Sequence, residues 1–371
     1  MDNFLKQHIP LIADPGVTNT EKQGVQDSFI DKNWPLTKPG IQKVVKSTAN
    51  DVGILLNLSV SEIKEKIESS TVLSDFFEVN NKGEIIVKSV DNSNGFKGHF
   101  PDLPICPGVA LKELFKTISG IDIEINGYES VNFLDLAIPG NTISIKEDGL
   151  YINGTIIMSI NNDINPLEHT LLTDTSIYKN PNKDSYDIND VIITPTHSLE
   201  SEIDTYLFQA PPFRFASSCD LYLENGESIQ VGDIIKGSWV MPHDFKYLDK
   251  NGEIDLSLLP EINAQILSFG ILSFMNKGIE NDGRKKLLTF ANSTTKTNKN
   301  PGQIGKEFFI ECEITSIDDK LLLGNFRLLN AKGVILQEGS IKGGITPKKA
   351  VRFMHASKRK KLEKKDDTNE I

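Results

Sequence analysis

Cysteine is scarce in this 371-residue chain: Cys106, Cys219 and Cys312 are its only three, lie far apart and form no CxxC pair. They cannot all pair within one chain, so neither a disulfide framework nor a zinc site is indicated, and a reducing, cytoplasmic setting is expected. Long apolar runs are missing too. The longest, Ile262 to Met275, is broken by Asn263, Gln265 and Ser268, and no basic segment near the start leads into an apolar one, so neither a membrane span nor a targeting signal is expected. There is no Gly-rich phosphate loop and no nucleophile elbow, and His8, His169, His197 and His355 lack ligand-like neighbours. No metal and no cofactor is therefore expected.

Positive charge is short over most of the chain. The net charge is −11, yet Lys348 to Lys365 hold nine basic residues against the single acid Glu363. An acidic body argues against nucleic acid as the main partner, because phosphate contacts need Lys and Arg on the binding surface. The tail reads as a solvated, partly helical terminus, with docking onto an acidic carrier protein or a membrane as the sharper alternative.

The chain is long enough for two cores, and a hydrophobic content of 38% can fill both. Residues 1–80 offer no nameable chemistry, only a helix from about Val60 to Glu68, where Ser59 and Glu62 have capping-box spacing. Glu84–Lys88 then reads as a strand, the His99 segment as a Pro-rich loop, and Pro107 as the first position of a helix to about Ile118. Strands are expected at Ser130–Leu136, Thr142–Lys146, Leu150–Ile160 and Thr170–Ile177. After a polar linker the pattern returns: strands at Cys219–Leu223 and Asp233–Met241, and an apolar helix from Pro260 to Met275. Further strands follow at Leu287–Asn292, Glu307–Ile317, Leu321–Leu329 and Val334–Lys342. The expectation is an α+β fold made of two antiparallel sheets, each wrapped around a central helix. Its divisions are an N-terminal region 1–80, units at 81–180 and 205–347, a linker at 181–204 and a basic tail at 348–371.

The chemistry concentrates around His99. An elimination of water beside a carbonyl group needs a base for a carbon-bound proton, an acid for the departing hydroxyl, and donors for charge growing on the carbonyl oxygen. Histidine suits the first role, a carboxyl group in an apolar pocket the second, and free N–H groups at a helix start the third. Gly108, just after Pro107, would let a substrate approach that backbone closely.

Gly98-His99-Phe100-Pro101, Pro104, Pro107-Gly108-Val109 and Glu113 together resemble the active-site segment of the bacterial β-hydroxyacyl-ACP dehydratases of hotdog fold. The resemblance assigns the catalytic histidine to His99, the thioester-polarising glycine to Gly108 and the helix carboxylate to Glu113, with Phe100 and Val109 as substrate contacts. Residues from 205 onward resemble the same superfamily more weakly, through Pro212-Phe213-Arg214-Phe215 and Pro260-Glu261-Ile262-Asn263-Ala264-Gln265. There, Phe245-Lys246-Tyr247-Leu248 stands where the histidine motif belongs, as in the dehydratase-related partners of aryl-polyene-type pathways. His243 is displaced from the expected position and reads as structural or exposed.

The resemblance implies a tandem double hotdog, an internal pseudo-dimer. In this family the histidine and carboxylate of one site come from different units, so His99 should face Glu261, with Gln265 one turn further along the same helix face as a hydrogen-bonding, substrate-binding partner. Glu113 would then face the histidine-free site, giving one working site per chain. The implied activity is dehydration of (3R)-3-hydroxyacyl thioesters on acyl-carrier protein, or on coenzyme A, to trans-2-enoyl thioesters. A hotdog thioesterase and a non-catalytic acyl-binding partner remain as alternatives, and a homodimer of such chains stays open.

Overall fold

The computed structural model describes residues 58–162, 164, 186–188, 191–193, 197–198, 207–222, 228–276, 286–298 and 305–369. The first half begins with helix α1 (Val60–Glu68), whose capping box at Ser59 and Glu62 forms as expected, and α2 (Thr71–Phe76). Strands β1 (Phe77–Val79) and β2 (Ile85–Val87) lead to the short helix α3 (Asn94–Gly98) and to the central helix α4 (Gly108–Ser119). Strands β3 (Glu124–Ile125), β4 (Tyr128–Phe133), β5 (Thr142–Lys146), β6 (Gly149–Ile152) and β7 (Thr155–Ile160) complete it.

Short pieces follow: β8 (Tyr186–Ile188), β9 (Val191–Ile193) and β10 (His197–Ser198). The second half then runs through β11 (Ser218–Tyr222), β12 (Ile234–Val240), the central helix α5 (Leu259–Met275), β13 (Lys286–Thr297), β14 (Glu307–Ile317), β15 (Leu321–Asn330) and β16 (Ile335–Pro347). Helix α6 (Lys348–Asn369) closes the chain.

All strands except the β8–β9 hairpin join one 14-stranded sheet, in the order β1-β2-β5-β6-β7-β4-β13-β16-β15-β14-β12-β11-β10, with β3 on β4. Its sheet pairings are antiparallel, and the two halves meet where β4 pairs with β13, Asn132 opposite Asn292 and Glu129 opposite Thr295. The sheet wraps a helix in each half. Helix α5 packs on β11 through β16, and α4 on β5, β6, α1 and α2. Both helices are chosen by their apolar residues. Ala110, Leu111, Leu114, Phe115 and Ile118 bury one face of α4, whereas Ile262, Ile266, Leu267, Phe269 and Leu272 bury α5 nearly all round. The segment Leu256–Ser273 is long and apolar enough to cross a membrane, but 89% of it is buried within the protein.

Several expectations need correction. Leu150–Ile160 is not one strand but the hairpin β6–β7, turning at Asn153 (φ 50°) and Gly154 (φ 77°), because Asn-Gly favours the left-handed backbone that a tight hairpin needs. The division at residues 80–81 falls between β1 and its partner β2, so the segment from Leu58 belongs with the first half. β13 runs on to Thr297 and β16 to Pro347, well past the expected ends. Of the expected linker 181–204, the described parts include β10, which pairs with β11 at the sheet edge. The expected strand Thr170–Ile177 lies outside the described residues.

The basic tail also differs from a solvated terminus. Val351 of α6 is fully buried with Leu103, Ile105 and Leu287. Around it, Arg352 and Lys348 pair with Asp102 at 2.9 and 3.3 Å, Lys358 pairs with Asp135 at 2.6 Å, and His355 Nε2 lies 3.0 Å from the Pro104 carbonyl. The charges look like a free tail in the sequence because the apolar stripe that docks it is only a few residues long.

Candidate active site

His99 ends α3. Its N–H donates to the Gly95 carbonyl at 2.7 Å, and its side chain turns into the interior with 6% exposure. Three separate elements fix it. Asp75, at the end of α2, accepts hydrogen bonds from the N–H groups of Asn94 and Gly95 at 2.9 and 2.7 Å, capping α3. The second half approaches from the other side: Ala210 N–H donates to the Gly98 carbonyl at 2.9 Å. A Cβ on Gly98 would lie 2.4 Å from Ala210 O, so only glycine permits this approach. Aromatic rings fill the rest. Phe213 meets His99 edge-on at 5.3 Å and Phe76 at 5.5 Å, and Phe100 lies 4.3 Å from the imidazole.

The imidazole has a defined orientation. Nδ1 is 2.8 Å from the Ile105 carbonyl, and since a carbonyl only accepts, Nδ1 carries the proton and Nε2 presents its lone pair. Nε2 points at the second half, 3.7 Å from Glu261 Oε1. Glu261 sits in the first turn of α5. Gln265, one turn on, donates from Nε2 to Glu261 Oε1 at 2.9 Å and to the Phe213 carbonyl at 3.0 Å, while its Oε1 accepts from Phe215 N–H at 2.7 Å. Its amide is thus spent on holding the carboxyl group and the Phe213 loop. Among the described residues, Glu261 Oε2 has no hydrogen-bond partner.

Burial sets the electrostatics. It pushes the His99 pKa down to about 4, against the opposing pull of the Ile105 carbonyl, and pushes Glu261 up to about 7, against the Gln265 hydrogen bond. Between these values the pair consists of a neutral imidazole and a protonated carboxylic acid. A base and an acid therefore stand side by side in a nearly dry interior.

Gly108 opens α4 with Pro107 as its N-cap and no side-chain cap, which leaves first-turn N–H groups for an incoming oxygen. A Cβ there would meet the Phe133 ring at 2.8 Å. Phe133 in turn lines a narrow cleft with Val109, Lys112, Pro260, Phe290 and Ser293, between the starts of α4 and α5.

The structure thus brings together His99 and Glu261, with Gln265 against the carboxyl group and Phe100 against the imidazole, and places Val109 in the cleft lining and Gly108 against the Phe133 ring. It does not bring Glu113 to His99. Glu113 is half-buried and accepts from Thr117 Oγ1 at 3.0 Å on its own helix. His243 is exposed.

Two positioning residues escaped the sequence reading. Asp75 gave no signal at all. Tyr247, in the second half, donates from its hydroxyl to Asp75 Oδ2 at 2.7 Å.

Residues 78–161 carry His99, Gly108 and Glu113. They match the ApeI-like family model, described as ApeI dehydratase. Among solved structures, the chain is similar to the dehydratase domain of a mycocerosic acid synthase-like PKS, at 10% identity and TM-score 0.45, over 73% of this chain and 95% of that one. It is also similar to the dehydratase domain of PpsC from Mycobacterium tuberculosis in complex with C12:1-CoA, at 14% identity and TM-score 0.40, over 74% and 99%. A third likeness is to a protein provisionally described as a thioesterase II from Thermobifida fusca, at 11% identity and TM-score 0.38, over 74% and 97%. No curated protein matches the chain.

Proposed function

We propose that this protein is a dehydratase of 3-hydroxyacyl thioesters, built as two hotdog units in one chain that share a single working site. The observation that carries the reading is the 3.7 Å approach of His99 Nε2 to Glu261 Oε1, one group from each half and each neutral over the same pH range. His99 Nε2 removes the C2 proton. The electrons shift toward the thioester oxygen, which the Gly108 N–H and the α4 start stabilise. They return to form the C2–C3 double bond as the C3 hydroxyl leaves with the Glu261 proton, as water. The imidazolium and carboxylate left behind restore themselves by passing one proton across the gap, so no cofactor is consumed. The acyl group arrives on acyl-carrier protein or coenzyme A.

The ApeI-like match over residues 78–161 supports dehydration over hydrolysis. So does Glu261, because a thioesterase that activates water with a carboxylate base needs that group ionised, and burial keeps it protonated up to about pH 7. The test is to incubate the full chain with 3-hydroxyacyl thioesters on carrier protein and on coenzyme A, following enoyl product and free thiol together. Enoyl product without thiol is expected. Thiol without enoyl product would establish a thioesterase instead, and turnover of neither would leave an acyl-binding partner.

A further inference from the structure

The cleft between the two central helices is lined by Val109, Phe133, Pro260 and Phe290 together with Lys112 and Ser293. Ser293, which lines it, is 6% exposed. Two residues along β13, on the same strand face, Thr295 is 1% exposed. Neither hydroxyl has a hydrogen-bond partner among the described residues, nor has the side-chain oxygen of Asn263 on α5. Asn263 is itself oriented, its Nδ2 donating to the Leu259 carbonyl at 3.0 Å and to Gln337 Oε1 at 3.1 Å.

Opposite Thr295 across the seam stands Glu129, which accepts from buried Lys112 at 2.9 Å. Burial acts to raise Glu129, but Lys112 and Lys116 hold it down to about 2, so a fixed ion pair borders the row. An interior meant only for a hydrocarbon chain would place Val or Leu here, because a buried hydroxyl without a partner is costly and buried polar groups are normally satisfied.

We infer that Ser293, Thr295 and Asn263 form a hydrogen-bonding subsite for an oxygenated acyl chain, one bearing keto or hydroxyl groups beyond C4, rather than a saturated alkyl chain. This rests on the cleft holding the acyl group of the thioester proposed above. The hydroxyls can donate to a keto oxygen or accept from a hydroxyl, and the Asn263 oxygen can accept from a hydroxyl.

Two unreactive pantetheine thioethers of equal chain length, one saturated and one carrying a keto group beyond C4, test it by calorimetric titration into the full chain. The keto probe is expected to bind about 10-fold tighter or more, and the double variant Ser293→Ala, Thr295→Val to lose or reverse that preference. Equal affinity, tighter saturated binding, a preference that survives the double variant, or binding of neither probe would each overturn the inference. Dehydration of a 3-hydroxybutyryl thioester, too short to carry such a group, is measured in parallel. Turnover of it without a keto preference sinks this inference alone, and a keto preference without turnover sinks the dehydratase reading alone.

Discussion

The Tyr247 hydroxyl donates to Asp75 Oδ2 at 2.7 Å, and the same carboxylate caps the helix that ends in His99. The second half therefore supports the histidine of the first. Burial, then Asp75, raise the Tyr247 pKa far out of reach of neutral pH, so the hydroxyl stays a donor. Tyr247→Phe keeps the ring contacts with Phe213 and Phe245 but removes the donor. We expect a loss of about 1–2 kcal/mol in stability and a several-fold fall in kcat with KM little changed. Denaturant melts and steady-state kinetics on the same preparation check both.

The motif around His99 and most element positions were legible in the sequence because they rest on local rules. Thr142–Lys146 and Glu307–Ile317 show alternation, Val60–Glu68 carries its capping box, and the α4 and α5 stripes have helical period. The pairing of His99 with Glu261 follows from the two-unit arrangement that the resemblance implies rather than from any spacing. What stayed hidden depends on tertiary contact. Asp75 is an ordinary surface-type residue until α3 and Tyr247 meet it. Helix α6 looks solvated because Val351 and its few apolar neighbours are outnumbered by lysines. The end of β13 was missed because Ser293-Thr294-Thr295-Lys296-Thr297 is polar on both faces, and a strand with buried hydroxyls on its inner face breaks the alternation that sequence reading relies on. The Asn153-Gly154 turn was readable, but the surrounding apolar run, Leu150 to Ile160, outweighed it.

The activity should be bell-shaped in pH. The competent pair holds one proton, on Glu261 and not on His99, so kcat/KM is expected to fall below about pH 4 as His99 is protonated and above about pH 7 as Glu261 ionises. A pH profile of kcat/KM with a short 3-hydroxyacyl thioester checks it. A plateau running through pH 9 would mean that the essential acid is not this buried carboxyl group.

Glu261 is held at a cost to stability. Its folded pKa of about 7 lies above the ordinary 4.5, so between those values the unfolded chain loses a proton that the folded chain keeps. Stability from this group is therefore present below about pH 4.5 and lost as pH rises to about 7, on the order of 3 kcal/mol in all. Glu261→Gln keeps an acceptor for Gln265 and never ionises. It is expected to melt higher than the parent at pH 8, with the difference shrinking toward zero at pH 5. Melting curves at the two pH values decide it.

Helix α6 should hold the loop after His99 mainly through apolar burial. Val351→Ala empties a fully buried site against Leu103 and Ile105 and is expected to cost about 2 kcal/mol. Asp102→Asn removes two ion pairs, but Asp102 is 59% exposed, so screening leaves that loss below about 1 kcal/mol. Chemical denaturation of the two variants, at low and at high salt, separates the contributions.

The central claim is one working site assembled from His99 and Glu261, with Glu113 outside it. The direct measurement is kcat/KM for dehydration of one 3-hydroxyacyl thioester by Glu261→Gln and by Glu113→Gln. Loss of the acid should cost about 100-fold or more, while Glu113→Gln should stay within about 3-fold of the parent, because it perturbs only a half-buried hydrogen bond to Thr117. Comparable losses in both variants, or a loss confined to Glu113→Gln, would contradict the account.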